Sequence, residues 1–431
     1  MRYIPIDNRL FIENRKRFIQ NLKPQSIAIF HSNDMMPTCG DGHYPFVQHS
    51  DLFYLTGIDQ EDTILLICPD AHHKTNTEIL FIKETNDKIR IWEGPKLSKD
   101  QGKTISGIDH VEWTSQFDTI FRKLVLESEY MYLNTNEHQR SEMIVESRDI
   151  RFIRYCREMF PLHSYQRIAP IMHQLRRIKS PIEIELIHKA CQITQDTFNQ
   201  LLQVIRPGIY EYEIEAEIYY SFLKQKASGP AFPSIVASGP NSCILHYIQN
   251  DRQCQDGDVL LIDFGATYAH YASDVTRTIP VNGKFSERQQ DIYESVLRIQ
   301  EKALHMLRPG ITLEDHKKEM HPIIESELVG LGLIDSEKLQ SQSKDDPLFK
   351  TYFMHGISHH LGLDTHDDVG IDVPLEPGMV LTCEPSIYVR DESIGIRIED
   401  TILITDDGYV NLTRAIPKSI EEIHSMMKQN Q

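Results

Sequence analysis

Over the first 160 residues, short apolar runs rich in branched side chains (Ser26 to Phe30, Thr63 to Cys68, Ile79 to Ile82, Tyr130 to Leu133) alternate with helix-period stretches such as Leu10 to Leu22. The apolar runs predict strands and the intervening period predicts helices, so this part reads as a mixed α/β domain. The pattern changes at Ser180-Pro181-Ile182-Glu183, where a Ser N-cap, a Pro at the first helical position and a Glu at the third make a capping box and predict the start of a long helix. Ile187, Ala190, Cys191, Phe198, Leu201, Leu202 and Ile205 lie on one face of it, and Arg206-Pro207-Gly208-Ile209 ends it.

The same grammar returns. Ser286 and Gln289 form a second capping box, Ile292, Val296, Ile299, Ala303 and Leu307 supply the stripe, and Arg308-Pro309-Gly310-Ile311 stops the helix 102 residues after its counterpart. Gly257, Val259, Leu260 and Asp263 then match Gly378, Val380, Leu381 and Glu384 at an offset of 121. This half is therefore internally duplicated, each copy supplying helices and a β-hairpin, and two hairpins meeting about a pseudo-twofold axis bring their acidic residues to one place.

At 431 residues the chain exceeds the usual single core. The change of pattern divides it into a domain over 1–174 and another over 175–431. A net charge of −18, from 45 Lys and Arg against 63 Asp and Glu, repels phosphate backbones and anionic lipids, which argues against nucleic-acid and membrane partners. Seven scattered cysteines without a C-x-x-C pair, no signal-peptide pattern and no apolar run near 18 residues predict a cytoplasmic protein with reduced thiols. The doublet His72-His73 sits in turn-like composition and reads as solvated loop.

Chemistry concentrates in the duplicated half. Asp263 ends the apolar run Leu260-Leu261-Ile262, and Asp274 follows 11 residues later on the expected return strand; Glu384 ends Val380-Leu381-Thr382-Cys383, and Glu399 follows 15 residues later. Carboxylates on buried strands must meet cations, become neutral or bind metal. Salt bridging to Arg277 and Arg397 is the plain alternative, but two arginines do not neutralise four acids, whereas two divalent cations do. The segment 355–366 adds His355, His359, His360 and His366, punctuated by Gly356 and Gly362. Oxygen ligands with one imidazole suit Mn²⁺ or a similar ion better than a structural zinc site. Two such ions a few ångströms apart share a water, lower its pKa and polarise a carbonyl.

On these residues the chain resembles the pita-bread metallopeptidases and, within them, the aminopeptidase P enzymes. Gln48 to Gly57 is similar to the family's N-terminal domain, and Trp92-Glu93-Gly94 is a weaker match of the same kind. The resemblance implies an α+β fold, with a duplicated helix-helix-hairpin pita-bread domain preceded by a creatinase-type α/β domain. It implies that Asp263 chelates one metal, that His359 and Glu384 bind the other, and that Asp274 and Glu399 bridge both. It implies further that Glu384 takes the proton of the bridging water, that His246, His355 and His366 line the substrate site, and that Arg397, two residues before the bridging Glu399, stands behind the metal ligands. The duplication supports two of these, since His246 lies 17 residues before Asp263 and His366 lies 18 before Glu384. His360 reads as pocket wall or packing. The one departure is Thr365, where the signature has Val or Ile; its hydroxyl is expected to leave the metals alone while able to shift His366.

The implied activity is hydrolysis of the bond between an N-terminal residue and a following proline. Peptides with proline second are the implied substrates, two divalent ions, Mn²⁺ first and Co²⁺ or Zn²⁺ next, the cofactors, and a homodimer or homotetramer the assembly. A prolidase restricted to dipeptides is the nearest alternative. Methionine aminopeptidase lacks so long an N-terminal domain, a metal-free creatinase-like enzyme is expected to lose the ligand set, and a catalytically inactive peptide-binding module is expected to drop ligands too.

Overall fold

A computed structural model of the chain describes residues 3–428, apart from 136, 139, 142–143, 344–345 and 368–369. The chain divides into two compact units, Ile4–Arg177 and Ile178–Gln431, with Met1–Tyr3 grouped in the latter.

The first unit is built on a six-stranded sheet of β1 (Ser26–His31), β2 (Ile64–Ile67), β3 (Glu78–Ile82), β4 (His110–Trp113), β5 (Tyr130–Leu133) and β6 (Ser164–Arg167), ordered β4-β3-β2-β1-β5-β6. The pairs β1/β2 and β2/β3 are antiparallel and the others parallel. The central strands β1 and β2 are buried throughout, as continuous Ile, Leu and Phe runs require. Ile27, Ile29, Leu66 and Phe81 pack there with Phe121 and Cys156, which come from the helices Phe117–Val125 and Arg148–Met159. The sequence pattern did not anticipate β4 and β6: they form the two edges of the sheet, are half exposed and carry polar residues, so they lack an apolar run.

The segment resembling the family's N-terminal domain folds as the buried helix Ser50–Thr56, capped by His49. Its Asp51 pairs with Arg176 at 2.9 Å and accepts from Asn134 at 2.8 Å. Burial alone would raise that carboxyl, but the Arg176 charge and His49 hold it below its ordinary value. His72 and His73 are exposed in a loop.

In the second unit both expected capping boxes form, Ser180 with Glu183 and Ser286 with Gln289, opening the helices Pro181–Val204 and Glu287–Met306. Each is followed by a partner helix, Glu211–Lys224 or Leu313–Gly330. The duplication extends to backbone geometry: Gly208 and Gly310 have φ of +90° and +91°, and Gly257 and Gly378 have φ of +87° and +91°, a left-handed conformation that favours glycine.

The first copy contributes β7 (Gly229–Pro230), β8 (Ile235–Ser238), β9 (Val259–Phe264), β10 (Ala266–Tyr268), β11 (Tyr271–Ala272) and β12 (Val275–Pro280), paired as β12-β9-β8 and β11-β10-β7. The second contributes β13 (Val380–Cys383), β14 (Ser386–Val389), β15 (Ile394–Arg397), β16 (Asp400–Thr405) and β17 (Gly408–Asn411), paired as β13-β16-β17 and β14-β15. Asp263 lies on β9 opposite Thr276, and Asp274 immediately precedes β12. Glu384 and Glu399 stand where one ladder ends, at Cys383 opposite Asp400, and the next begins, at Ser386 opposite Arg397. Both hairpins thus change sheet at their acids.

Gly395 on β15 carries the short helical turn Gly239–Cys243 against the hairpin. Its N–H donates to Ser242 Oγ at 2.8 Å, and a Cβ there would lie 2.0 Å from the Ser242 carbonyl oxygen.

Candidate metal centre

The two hairpins and the His-rich loop converge on one acidic cluster. Asp274, His359 and Glu399 each offer a ligand atom, all within 4.8 Å of one another. His359 Nε2 lies 3.5 Å from Asp274 Oδ2 and 3.7 Å from Glu384 Oε1. Asp263 completes the group across β9, its carboxylate held by Arg397 Nη2 at 2.5 Å. Asp274 and Glu399 are only 4% and 2% exposed, so their charges have little water to stabilise them.

Electrostatics makes the cluster untenable as a set of bare anions. Burial, reinforced by the neighbouring carboxylates Asp263 and Glu384 and only partly offset by His359, pushes Asp274 up to about 7. Burial raises Asp263 as well, against the charge of Arg397, and drives Glu399 well above the carboxylate range with help from Asp274 and Asp263. His359 moves up too: burial would lower it, but Asp274 and Glu384 outweigh that.

The donor set fits divalent cations. Asp263 Oδ1 and Asp274 Oδ1 are buried oxygens without a hydrogen-bond partner. His359 Nδ1 is 3.1 Å from the His360 carbonyl oxygen, the bond that fixes the Nδ1–H tautomer and turns the Nε2 lone pair toward the acids. A lone pair facing carboxylates is repulsive unless a cation or proton lies between. Of the two arginines weighed against metal, only Arg397 pairs with one of the four carboxylates; Arg277 reaches the backbone carbonyl of Glu399 instead. Arg277 pairs with Asp400 at 2.7 Å, both fully buried, and Lys418 also reaches Asp400 at 2.7 Å.

Around the cluster runs a hydrogen-bonded wall. Thr276 Oγ1 donates to Glu399 Oε2 at 2.6 Å and accepts from Arg397 Nε at 3.0 Å. Arg397 Nη1 donates to Tyr388 Oη at 2.7 Å, and that hydroxyl lies 2.9 Å from His355 Nε2. His355 Nδ1 is 2.7 Å from the Gly356 carbonyl oxygen and 3.6 Å from Glu384 Oε2. Burial is the largest influence holding this imidazole below its ordinary pKa, so it stays neutral. His366 stacks edge-on against His359 with ring centroids 4.4 Å apart, and the Thr365 hydroxyl is turned to the Ala231 carbonyl oxygen at 3.5 Å. His360 is buried, its carbonyl accepting from Asp367 N–H at 2.9 Å as well as from His359.

Asp263, Asp274, His355, His359, His366, Glu384, Arg397 and Glu399 therefore share one site. His246 is exposed on the segment after Gly239–Cys243 and makes no hydrogen bond or ion pair among the described residues. Sequence reading missed Thr276, Tyr388 and Asp400. The available signal was that Ser386 and Tyr388 alternate on one face of the strand that follows Glu384, and that Thr276, Arg277 and Thr278 form a polar run inside a fully buried strand.

Comparison with known proteins agrees with this geometry. Residues 185–406 match the model described as Metallopeptidase family M24, and 11–132 match Aminopeptidase P, N-terminal domain. The chain is 36% identical to the Xaa-Pro aminopeptidase of Escherichia coli (strain K12), over 98% of each chain. Among solved structures it superposes on Pseudomonas aeruginosa aminopeptidase PepP with a TM-score of 0.88 at 32% identity, covering 99% of both chains. It superposes on zinc-substituted E. coli aminopeptidase P in complex with product with a TM-score of 0.89 at 33% identity, covering 99% of this chain and 100% of that one. Family model, full-length relatives and fold agree with the duplicated hairpins and their acids, and the chain belongs to metallopeptidase family M24, among its pita-bread Xaa-Pro aminopeptidases.

Proposed function

We infer that the protein is a metal-dependent aminopeptidase that hydrolyses the bond between an N-terminal residue and a following proline. The observation that carries the chemistry is the convergence of four carboxylates and one imidazole, with two carboxylate oxygens lacking any partner. The proline preference rests on the full-length similarity to Xaa-Pro aminopeptidases, which does not favour the prolidase alternative.

Asp263, Asp274, His359, Glu384 and Glu399 would hold two divalent cations, Mn²⁺ first. Bound there, such ions acidify a water and polarise the scissile carbonyl. Glu384, at the open side of the cluster, accepts the proton of the attacking water and passes it to the leaving nitrogen of proline. Arg397 fixes Asp263, and Thr276 fixes Glu399. The neutral His355, oriented through Tyr388, and His366, stacked on His359, line the space for the scissile peptide. For His246 the same lining role rests on the family resemblance alone.

Among the described residues no helix is long and apolar enough to cross a membrane. The seven cysteines are free thiols, six of them buried, which supports work in a reducing, cytoplasmic setting. Assembly as a homodimer or homotetramer rests on the family resemblance.

The deciding assay incubates metal-stripped protein with and without Mn²⁺ on an Xaa-Pro dipeptide and an Xaa-Pro-Xaa tripeptide. Mn²⁺-dependent release of the first residue from the tripeptide is expected. Cleavage of the dipeptide alone would identify a prolidase, and no turnover of either after metal loading would refute the peptidase reading.

A further inference from the structure

The segment 359–361 lies along β13: Thr382 N–H donates to the His359 carbonyl oxygen at 2.9 Å and Leu361 N–H to that of Val380 at 3.0 Å. The chain then loops out and returns, and Asp367 N–H closes the loop on the His360 carbonyl oxygen at 2.9 Å. That oxygen is the one that orients His359 through Nδ1, and His366, immediately before the closing residue, is the ring stacked on His359. The neck of the loop therefore sets both imidazoles together.

The neck also carries an ion pair outside the ligand set. Lys179 Nζ reaches Asp367 Oδ2 at 3.2 Å, the two side chains 1% and 4% exposed, and among the described residues the ammonium has no other partner. Lys179 immediately precedes the Ser180 cap of the helix Pro181–Val204, and its N–H donates to the Gly378 carbonyl oxygen at 2.9 Å, in the turn before β13. One residue thus joins the strand that leads to Glu384, by its backbone, to the loop that carries His359, by its side chain. Gly362 leaves room for the pair: a Cβ there would lie 2.3 Å from Asp367 Oδ2 and 3.0 Å from Lys179 Cε.

A pair this dry adds little net stability over apolar side chains, because the cost of dehydrating both charges offsets their attraction. What it supplies is register. If the loop shifts by one residue, a charge is left buried and unpaired, so a single placement of the neck is tolerated.

We propose that Lys179 and Asp367 are positioning residues for the metal centre: their ion pair clamps the neck of the His-rich loop and so fixes His359 Nε2 toward the acids and His366 against it. Both act through other groups, Asp367 through the His360 carbonyl oxygen and Lys179 through Asp367. The proposal rests on the metallopeptidase reading of the site and adds two residues that reading does not contain.

The test compares wild type with K179M/D367N, K179R and D367E. It measures Mn²⁺ affinity by competition with a fluorescent chelator, the visible absorption of the Co²⁺-loaded protein, Tm of the metal-free protein, and kcat on Ala-Pro-Leu. K179M/D367N removes both charges at once, so its metal-free Tm should stay close to that of wild type. Its Mn²⁺ affinity should fall about 10- to 100-fold, the scale on which groups behind metal ligands act, with a changed Co²⁺ spectrum and a lower kcat. K179R, which keeps the charge, should recover most of the affinity. Wild-type affinity and spectrum in K179M/D367N overturn the clamp, as does a lowered metal-free Tm with an unchanged Co²⁺ spectrum, the mark of a merely structural pair. If K179M/D367N does not fold, D367E decides, because it keeps both charges and lengthens the link by a methylene: an altered Co²⁺ spectrum supports the clamp and an unchanged one overturns it. Wild-type protein that binds no Mn²⁺ overturns the metallopeptidase reading and the clamp together, whereas wild type that binds Mn²⁺ beside unaffected variants overturns the clamp alone.

Discussion

Thr276 and Glu399, 123 residues apart in the chain, meet at 2.6 Å, the threonine hydroxyl donating to the glutamate carboxylate. This bond joins the return strand of the first hairpin to the acid of the second. The backbone repeats the link, Glu399 N–H donating to the Thr276 carbonyl oxygen at 3.0 Å. The active geometry is thus a property of the seam between the two copies and of neither copy alone.

Asp274 is expected to be indispensable. Asp274→Ala removes a carboxylate placed against both His359 and Glu399, so bound Mn²⁺ should fall and kcat/KM should drop at least about a thousandfold, the several kcal/mol that metal polarisation supplies. Elemental analysis with the tripeptide assay checks this, and retained turnover would refute the site assignment.

The metal-free protein should lose stability as pH rises from about 4 to 7. In the folded, metal-free state Asp274 holds its proton up to about 7. In the unfolded chain a free aspartate loses its proton near 3.9, so the fold binds the extra proton in that window. The resulting stabilisation is complete below the unfolded value and disappears as pH passes the folded one. Mn²⁺, which needs deprotonated ligands, should therefore raise Tm most at pH 7 and above and little near pH 5. Thermal unfolding from pH 4 to 8 with and without Mn²⁺ tests this; a metal-independent Tm at pH 7.5 would contradict it.

Tyr388→Phe deletes the hydroxyl that connects Arg397 to His355 while keeping the ring that packs with Cys243 and Leu261. A buried guanidinium hydrogen left without its acceptor costs about 1–3 kcal/mol, so kcat/KM should fall roughly 10- to 100-fold. Circular dichroism should stay unchanged, and full activity would show that the wall does not orient the site.

Arg277→Met should act on stability first. Arg277 donates to the carbonyl oxygens of Thr276, Ile416 and Pro417 as well as to Asp400, with no exposure to solvent. Removing it leaves the buried Asp400 charge opposite Lys418 alone, a loss of about 3–5 kcal/mol by the usual behaviour of broken buried pairs. Denaturant unfolding measures it; a change below about 1 kcal/mol would mean that Lys418 suffices.

By itself the sequence determined what depends on local chemistry. The capping boxes Ser180/Glu183 and Ser286/Gln289 form from residues three apart, so their helices start where the residues say they do. The repeated Arg-Pro-Gly-Ile stops and strand glycines revealed the duplication, and the duplication pointed to Asp263, Asp274, Glu384 and Glu399, because an acid at the end of an apolar strand is conspicuous at any distance from its partners. Only the tertiary structure decided which polar residues share the work. Arg277 and Arg397 look alike in sequence, each two or three residues from an acid, yet one locks Asp400 beneath the hairpins and the other holds Asp263 within the cluster. Thr276 and Tyr388 are marked locally only as polar groups on strands, and a hydroxyl on a strand reads the same whether it faces water or a carboxylate from 123 residues away. Their roles arise from desolvation, which turns every polar atom at the seam into one that must find a partner, and desolvation exists only once the two hairpins have closed on each other.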